Sequence, residues 1–247
     1  MVEAHGDLGR PFALASVTKL LSAYAALVAL EEGIVRLDDE AGPPGATLEH
    51  LLSHASGLSF ADRNVVLARP GARRIYSNAG FEVLAEHLAA AAGMPFSRYL
   101  AEAVLEPLGL ATTRLEGSPA AGARSSAGDV AAFAVELLAP RLVAPETLGR
   151  AVTVAFPGLA GVLPGFGRMA PCDWGLGFEL RDAKAPHWTA PSCSPGTFGH
   201  FGQSGTFCWV DPAARCALVV LTDRPFGPWA KRAWPALGEA VLAGRGD

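Results

Sequence analysis

Apolar residues recur at helical spacing through the first part of the chain. Phe81, Leu84, Ala85 and Leu88 lie three or four residues apart and predict one buried helix face between about 78 and 92. The same kind of pattern predicts further helices at about 16–32, 48–54, 95–104, 126–138 and 228–243. Residues 20–150 are therefore expected to be mainly helical.

The pattern changes after about residue 153. Glycine and proline are dense from Pro157 to Gly177, which predicts a long irregular loop at the rim of a site. Strands are then predicted at about 174–180, 187–189, 205–210 and 217–222, with a hairpin turn between the last two. We accordingly predict one domain over residues 1–247, with an α/β part at about 1–19 and 154–247 and a helical part at about 20–153.

Composition and charge narrow the class of protein. Half of the residues are hydrophobic and 18% are charged, which is typical of a folded globular protein. The net charge of −4 at pH 7 gives no general attraction to nucleic acid or to an anionic membrane, so neither is expected as a partner. The apolar stretch of the helix at 16–32 is too short to span a bilayer. The first seven residues lack the charged start and apolar core of a secretion signal, which indicates a cytoplasmic protein.

The cysteines all lie in the last third of the chain, at Cys172, Cys193, Cys208 and Cys216. Their spacing fits no paired Cys-x-x-Cys metal motif, so buried free thiols are expected. A zinc site formed by these cysteines with His187 or His200 is the alternative. We predict that the protein needs no metal and no cofactor.

One pair of residues suggests catalytic chemistry. Ser16 and Lys19 are three residues apart and share one face if they lie on a helix. A serine hydroxyl is a weak nucleophile until a base takes its proton, and a buried lysine that is held neutral can be that base. A helix N-terminus adds backbone N–H groups at which an oxyanion can develop. The alternative is a serine that caps the helix beside a lysine that faces solvent.

Two further motifs accompany this pair, namely Tyr76-Ser77-Asn78 and the run Gly199–Thr206. Together they resemble the serine β-lactamase and penicillin-binding-protein-like family, in particular its branch of class C β-lactamases, D-alanyl-D-alanine carboxypeptidases and family VIII carboxylesterases. The resemblance extends over nearly the whole chain after Phe12, because other family stretches follow in order: Leu51–Leu58, Pro70–Phe81, Glu106–Leu110, Trp174–Phe178 and Gly199–Pro212. It implies an α/β (α+β) fold of the β-lactamase/transpeptidase type, in which an antiparallel sheet is flanked by helices and the site lies between the sheet and a large helical region.

The resemblance also implies catalytic roles. Ser16 would be the acylated nucleophile, and Lys19 would accept its proton or orient the base. Tyr76, as a phenolate or as a relay with Lys19, would pass the proton to the leaving group and activate the deacylating water. Asn78 would hydrogen-bond to Lys19 and to a carbonyl of the acyl group. Considered without the other motifs, Tyr76 and Asn78 are better explained as a core tyrosine and a helix cap.

The third motif implies a substrate-binding edge. His200 stands where relatives carry lysine or histidine, on the strand that borders the site. Gly202 would let the substrate approach the backbone closely, and the N–H groups of Ser16 and Gln203 would form the oxyanion hole. The alternative for His200 is a strand position with no role in the chemistry.

The sequence departs from the family pattern at three points. Phe201 stands where penicillin-recognising relatives have threonine or serine, so a substrate carboxylate would lose a hydrogen bond there. His200 replaces the lysine of class C β-lactamases and removes a permanent positive charge. Only fifteen residues precede Ser16, where relatives usually have a helix and two strands. An exposed sheet edge near the N-terminus is therefore expected, through which a homo-oligomer could form.

We therefore predict a serine hydrolase that acts through an acyl-enzyme at Ser16 on a small ester or amide and is most like an esterase. A D,D-peptidase or a weak β-lactamase, with a peptide or amide substrate, is the alternative within enzymes. A non-catalytic binding or scaffold protein with the same fold is the alternative of another class.

Overall fold

All but one of the described α-helices lie between residues 18 and 151, and the last one lies close to the end of the described range. The structure, a computed structural model, describes residues 3–244. The α-helices in that range are α1 (Thr18–Glu31), α2 (Leu48–Leu52), α3 (Asn78–Ala92), α4 (Phe96–Leu100), α5 (Ala127–Leu138), α6 (Pro145–Ala151) and α7 (Pro228–Ala243). A tight 3-10 turn, Ala15–Val17, precedes α1, and a wide π-type turn, Ala101–Leu105, continues α4.

The strands in the described range pair in three antiparallel sheets. The first sheet has the order β1-β3-β2, with β1 at Pro11–Ala13, β2 at Arg114–Leu115 and β3 at Ala123–Ser126. The second is a hairpin of β4 (Gly161–Leu163) and β5 (Gly167–Met169). The third has the order β6-β7-β8-β9, with β6 at Glu179–Leu180, β7 at Phe198–Phe201, β8 at Phe207–Asp211 and β9 at Cys216–Val220. The predicted antiparallel sheet flanked by helices is confirmed.

Helix α1 runs through the centre of the molecule. Every residue from Thr18 to Ala29 is buried, so this helix has no solvent-facing side. It packs against α3, α4 and α6 and against strand β7 of the four-stranded sheet. The first turn of α1, which carries Lys19, is therefore held by packing from several directions.

Local signals in the sequence explain where the helices near the site begin. α3 follows Ser77, whose Oγ accepts a hydrogen bond from the Gly80 N–H at 2.9 Å. α5 follows Ser126, whose Oγ accepts one from the Asp129 N–H at 3.2 Å. Both starts agree with the helices predicted at 78 and 126. The helix predicted from residue 16 begins two residues later, at Thr18, because residues 15–17 form the separate turn.

The glycine-rich segments differ most from the predictions. The strand predicted at 174–180 is limited to Glu179–Leu180, because Gly177 takes a left-handed φ of 86° where the chain passes against Ala23 of α1. The strand predicted at 187–189 is a loop in which the side chains of His187 and Trp188 hydrogen-bond to the buried carboxylate of Glu179. The loop predicted at 157–177 is not irregular throughout, since it contains the β4–β5 hairpin.

Strand β1 does not join the four-stranded sheet. It pairs with β3, which lies in the segment that the sequence assigned to the helical part. The outer edge of β1 has no strand partner within residues 3–244. An oligomer formed through this N-terminal edge stays a prediction.

Candidate active site

Ser16 lies in the tight turn between β1 and α1. The preceding residue, Ala15, has a left-handed φ of 46°, a conformation that is costly for any residue with a Cβ. The Leu14 carbonyl accepts hydrogen bonds from the Val17 N–H at 3.2 Å and from the Thr206 Oγ1 at 2.9 Å. These contacts tie the turn to the start of β8 and hold Ser16 at the surface of a cleft.

Lys19, one turn further along, is completely buried, with 0% of its surface exposed. Its Nζ donates hydrogen bonds to the Asn78 Oδ1 at 2.6 Å and to the Ala120 carbonyl at 2.9 Å. Burial lowers the pKa of Lys19 to about 7, although the Glu82 carboxylate acts in the opposite direction. The alternative of a capping serine beside a solvent-facing lysine is therefore wrong.

Tyr76 stands just before α3, between Ser16 and His200 on the opposite side of the cleft. Its hydroxyl lies 3.4 Å from the Nε2 of His200, and Ser16 lies on the other side of it. Burial raises the pKa of Tyr76 well above its usual value, although the nearby Ser16 hydroxyl acts against this rise. Tyr76 is therefore a neutral phenol across the physiological pH range. Its ring lies 4.8 Å below the Nζ of Lys19 and packs on the ring of His54 at 4.6 Å.

His200, on β7, is a buried neutral imidazole. Its Nδ1 lies 2.7 Å from the Phe201 carbonyl, which can only accept, so Nδ1 carries the proton. The Nε2 is then an acceptor that faces the Tyr76 hydroxyl. Burial, together with the positive charge of Lys19, lowers the pKa of His200 to about 3.

Two backbone N–H groups at the cleft are free to bind an oxyanion. Neither the N–H of Ser16 nor that of Gln203 donates to an acceptor within residues 3–244, and both residues line the cleft. Between them, Gly202 passes so close to the Ser16 turn that a Cβ would lie 2.4 Å from the Leu14 carbonyl oxygen and 3.0 Å from the Ala15 Cβ. The family resemblance implied that Gly202 lets the substrate approach the backbone. In the structure Gly202 packs against the turn that carries Ser16.

Phe201, the residue after His200 on β7, lines the cleft and belongs to an aromatic cluster. Its ring centroid lies 5.0 Å from that of Phe226, 5.7 Å from that of Trp188 and 5.7 Å from that of Trp234. This cluster also joins α7 to the four-stranded sheet. The position therefore contributes packing to the fold and no hydroxyl to the cleft.

The cleft itself is large and mostly apolar, with a volume of about 830 Å³. Its uncharged lining, besides Ser16 and Gln203, comes from Phe60, Ile75, Tyr76, Ala160, Gly161, Val162, Leu163, Pro164, Trp174, His200 and Phe201. Its charged lining comes from Arg73, Arg74, Arg168 and Glu179. The apolar part of this lining suits an acyl chain.

Sequence reasoning missed a buried cluster of polar side chains around Glu179, at the wall of the cleft. Glu179 accepts hydrogen bonds from the buried Nζ of Lys184, from the His187 Nε2 at 2.9 Å and from the Trp188 Nε1 at 2.9 Å. Burial acts against its charge, but His187 and Lys184 outweigh that effect and lower the pKa of Glu179 to about 2. One signal was present in the sequence, since Glu179 interrupts an apolar run at Phe178–Leu180 where a buried charge needs a partner.

Sequence reasoning also missed a buried arginine. Arg74 donates to the carbonyls of Ser53 at 2.6 Å, Ala155 at 2.7 Å and Cys172 at 3.1 Å, and only 3% of its surface is exposed. It thereby joins the segment before Tyr76 to two loops that border the cleft. Burial lowers its pKa to about 10, so the guanidinium stays charged at neutral pH.

The zinc alternative finds no support in the described part of the chain. No three metal-ligating side chains converge within residues 3–244, and the four cysteines are separate buried thiols. His187 is engaged with Glu179, and His200 with the Phe201 carbonyl. Among the described residues there is also no helix with the length and apolar character needed to cross a bilayer.

Sequence comparison places this chain among known proteins. The sequence model of the beta-lactamase family matches residues 7–242. The D-alanyl-D-alanine-carboxypeptidase/endopeptidase AmpH of Escherichia coli K12 is 31% identical over 142 residues, which are 43% of this chain and 37% of AmpH. This chain therefore spans well under two-thirds of that relative.

Solved structures extend the comparison to the fold. A β-lactamase (Mb2281c) from Mycobacterium bovis is 59% identical with a TM-score of 0.96, and the match covers 97% of this chain and 89% of that one. Unliganded simvastatin synthase (LovD) from Aspergillus terreus has the same fold, with a TM-score of 0.78 at 21% identity over 97% and 85% of the two chains. With the family's sequence model matching nearly from end to end, the chain belongs to the beta-lactamase family of serine hydrolases.

Proposed function

We propose that the protein hydrolyses a small ester through an acyl-enzyme at Ser16. The observation that carries the proposal is Lys19, a fully buried lysine whose pKa of about 7 leaves a large neutral fraction at physiological pH. A lysine is rarely buried without a carboxylate partner, because its charged form loses hydration. The buried Lys184 pairs with Glu179, whereas Lys19 forms no salt bridge within residues 3–244. Its lone pair is the strongest base in this site near pH 7.

In the acylation step, the Ser16 Oγ attacks the carbonyl carbon of the ester while its proton moves to Lys19 by way of the Tyr76 hydroxyl. The carbonyl π electrons move to oxygen, and the resulting oxyanion accepts hydrogen bonds from the N–H groups of Ser16 and Gln203. When the oxyanion collapses, the bond to the leaving alkoxide breaks, and the proton held on Lys19 passes to that oxygen. The free alcohol leaves, and Ser16 remains acylated.

Deacylation uses the same proton path. A water oxygen attacks the acyl carbon as neutral Lys19 takes one of its protons through Tyr76. The bond to the Ser16 Oγ breaks, the proton returns to that oxygen, and a carboxylic acid is released. Because Tyr76 is a neutral phenol, a relay fits this site better than a phenolate base.

The preference for esters rests on what the β7 edge lacks. Phe201 offers no hydroxyl and His200 is neutral, so this edge presents no hydroxyl or charge to a penicillin or D-alanine carboxylate. The alternative of a D,D-peptidase or weak β-lactamase is supported by the name of the relative AmpH. A non-catalytic scaffold is the remaining alternative, and it would leave the burial of Lys19 without a purpose.

The test is hydrolysis of p-nitrophenyl butyrate by the wild type, by Ser16→Ala and by Ser22→Ala. Ser22 is a matched control, since it lies on α1 one turn beyond Lys19 and its Oγ donates only to the Pro119 carbonyl. We expect turnover in the wild type and in Ser22→Ala, loss of turnover in Ser16→Ala, and an acyl adduct on Ser16 detected by mass spectrometry. Equal rates in the wild type and in Ser16→Ala would refute the proposal. Blockade of ester turnover by low concentrations of benzylpenicillin would favour the peptidase alternative.

A further inference from the structure

The charged lining of the cleft is unbalanced. Arg73, Arg74 and Arg168 line it, whereas Glu179 is the single acidic residue among its described lining residues. A cleft with low-dielectric walls concentrates the field of such charges and attracts a ligand of the opposite sign. The question is whether any of these charges is already neutralised within the protein.

Glu179 is fully committed to partners of its own. Its two oxygens accept hydrogen bonds from Lys184, His187 and Trp188, and the buried Lys184 ammonium supplies one positive charge to balance it. The carboxylate therefore does not offset the three arginines.

Arg74 is buried and forms no salt bridge within residues 3–244. Its guanidinium donates to backbone carbonyls, and the charge of the nearby Asp173 carboxylate offsets part of its own. Because the side chain is held in one place, it contributes a fixed positive potential to the cleft.

Arg73 and Arg168 carry the guanidiniums that are free to move toward a ligand. Both are exposed, and neither forms a salt bridge within residues 3–244. Arg73 makes one hydrogen bond, of 3.2 Å, to the Leu67 carbonyl, and Arg168 makes none within the same residues.

The backbone places these two arginines on one wall of the cleft. Arg74 forms a parallel bridge with Gly161 of β4, and the next residue of β4, Val162, pairs with Arg168 of β5. Arg73 and Arg168 therefore lie on the two segments that flank β4. The uncharged part of the cleft lining is largely apolar and includes Phe60, Ile75 and Leu163.

We propose that the substrate is an ester with a carboxylate at the end remote from the scissile carbonyl, and that Arg73 and Arg168 bind this carboxylate. An apolar segment of the substrate lies along the cleft between the two ends. This inference rests on the proposed esterase function and adds its substrate class. The carboxylate lies on the wall formed by β4 and β5 and the segment before Tyr76, away from the β7 edge, where Phe201 offers no hydroxyl.

The test compares anionic and neutral esters of similar length. In the acyl arm, mono-p-nitrophenyl succinate, adipate and suberate are compared with p-nitrophenyl pentanoate, heptanoate and nonanoate. In the leaving-group arm, 4-acetoxybenzoate is compared with its methyl ester, after correction for the rates of alkaline hydrolysis. We expect kcat/KM to favour the anionic ester by about tenfold in one of the two arms, since a charge-assisted hydrogen bond typically contributes that much.

Variants of the arginines connect this preference to the site. Arg73→Gln/Arg168→Gln should lower the ratio of anionic to neutral kcat/KM toward one, and so should 0.5 M salt, which screens exposed charges. Arg69→Gln is the matched control, because Arg69 is exposed in the same segment but does not line the cleft. A wild type without preference in either arm, or a double variant that keeps the preference, would overturn the inference while leaving the esterase proposal intact.

A binding measurement separates the two proposals if no ester is turned over. Ser16→Ala is titrated calorimetrically with monomethyl suberate and with dimethyl suberate, which need no hydrolysis. Tighter binding of the anionic monoester, lost in Ser16→Ala/Arg73→Gln/Arg168→Gln, would support the carboxylate site without the esterase. Equal binding of both esters, or no binding of either at millimolar concentration, would overturn it.

Discussion

The pH dependence of acylation should report the titration of Lys19 alone. With a pKa of about 7, the neutral fraction of Lys19 is about one-eleventh at pH 6 and ten-elevenths at pH 8. The acylation rate at low substrate should therefore rise about tenfold between these two values and then level off. The other two polar groups of the site do not titrate in this range, because the pKa of His200 is lowered to about 3 and that of Tyr76 is raised far above neutrality.

The assay is kcat/KM for p-nitrophenyl butyrate from pH 5 to pH 9, with the uncatalysed rate subtracted at each pH. Two variants identify the titrating group. Glu82→Gln removes the carboxylate that raises the pKa of Lys19, so the inflection should move to lower pH while the plateau is kept. Lys19→Met keeps the buried volume but removes the base, and should lower the plateau by about 10²–10⁴-fold and abolish the inflection.

The reasoning would be refuted by a profile that is flat from pH 6 to pH 8, or by one that rises only near pH 10, the usual range of a lysine. An inflection near 7 that does not respond to Glu82→Gln would mean that another group titrates there. An inflection that persists in Lys19→Met would have the same meaning.

Two further substitutions test residues that stabilise the fold around the cleft and hold the Ser16 turn in place. Glu179→Gln leaves the Lys184 ammonium buried without a counter-charge and should lower the free energy of unfolding by ~3–5 kcal/mol at pH 7, measured by urea denaturation. Since the folded pKa of Glu179 is lowered to about 2, this difference should be fully present above its unfolded pKa of 4.5 and shrink as the pH falls from 4.5 toward 2. Gly202→Ala places a Cβ 2.4 Å from the Leu14 carbonyl and should reduce kcat about a hundredfold by displacing the nucleophile turn. Gly149→Ala, whose Cβ meets nothing within 4 Å, is the control and should keep full activity; the same loss in both variants would contradict the assignment.

The sequence predicted the helices well where capping and periodicity agree. α3 and α5 begin directly after Ser77 and Ser126, because each serine Oγ accepts a hydrogen bond from a backbone N–H of the first turn. Apolar residues then recur at helical spacing along each helix. The residues that the family resemblance brought together also meet in space, since Lys19 contacts Asn78 and Tyr76 contacts both Ser16 and His200. Their catalytic roles stay predictions until they are measured.

The sequence predicted less where long-range contacts decide the structure. Trp174–Phe178 has the residues of a strand, but the close approach of Gly177 to Ala23 of α1 bends the chain out of one. His187 and Trp188 have strand propensity too, yet Glu179 draws both side chains inward. Burial also lowers the pKa of Lys19 to about 7, and the sequence pattern around Lys19 does not show how deeply it is buried.

The position of α1 separates the chemistry of this protein from its choice of substrate. Ser16 and Lys19, the proposed nucleophile and its base, lie at the start of a helix that forms the centre of the core, so altering their placement means rebuilding the whole interior. The wall that meets the substrate is carried by exposed positions such as Arg73, Val162 and Arg168, where substitutions usually change stability by about 0.5 kcal/mol or less. Evolution, or a protein engineer, can therefore exchange one substrate for another at little risk to folding while the reaction itself stays the same.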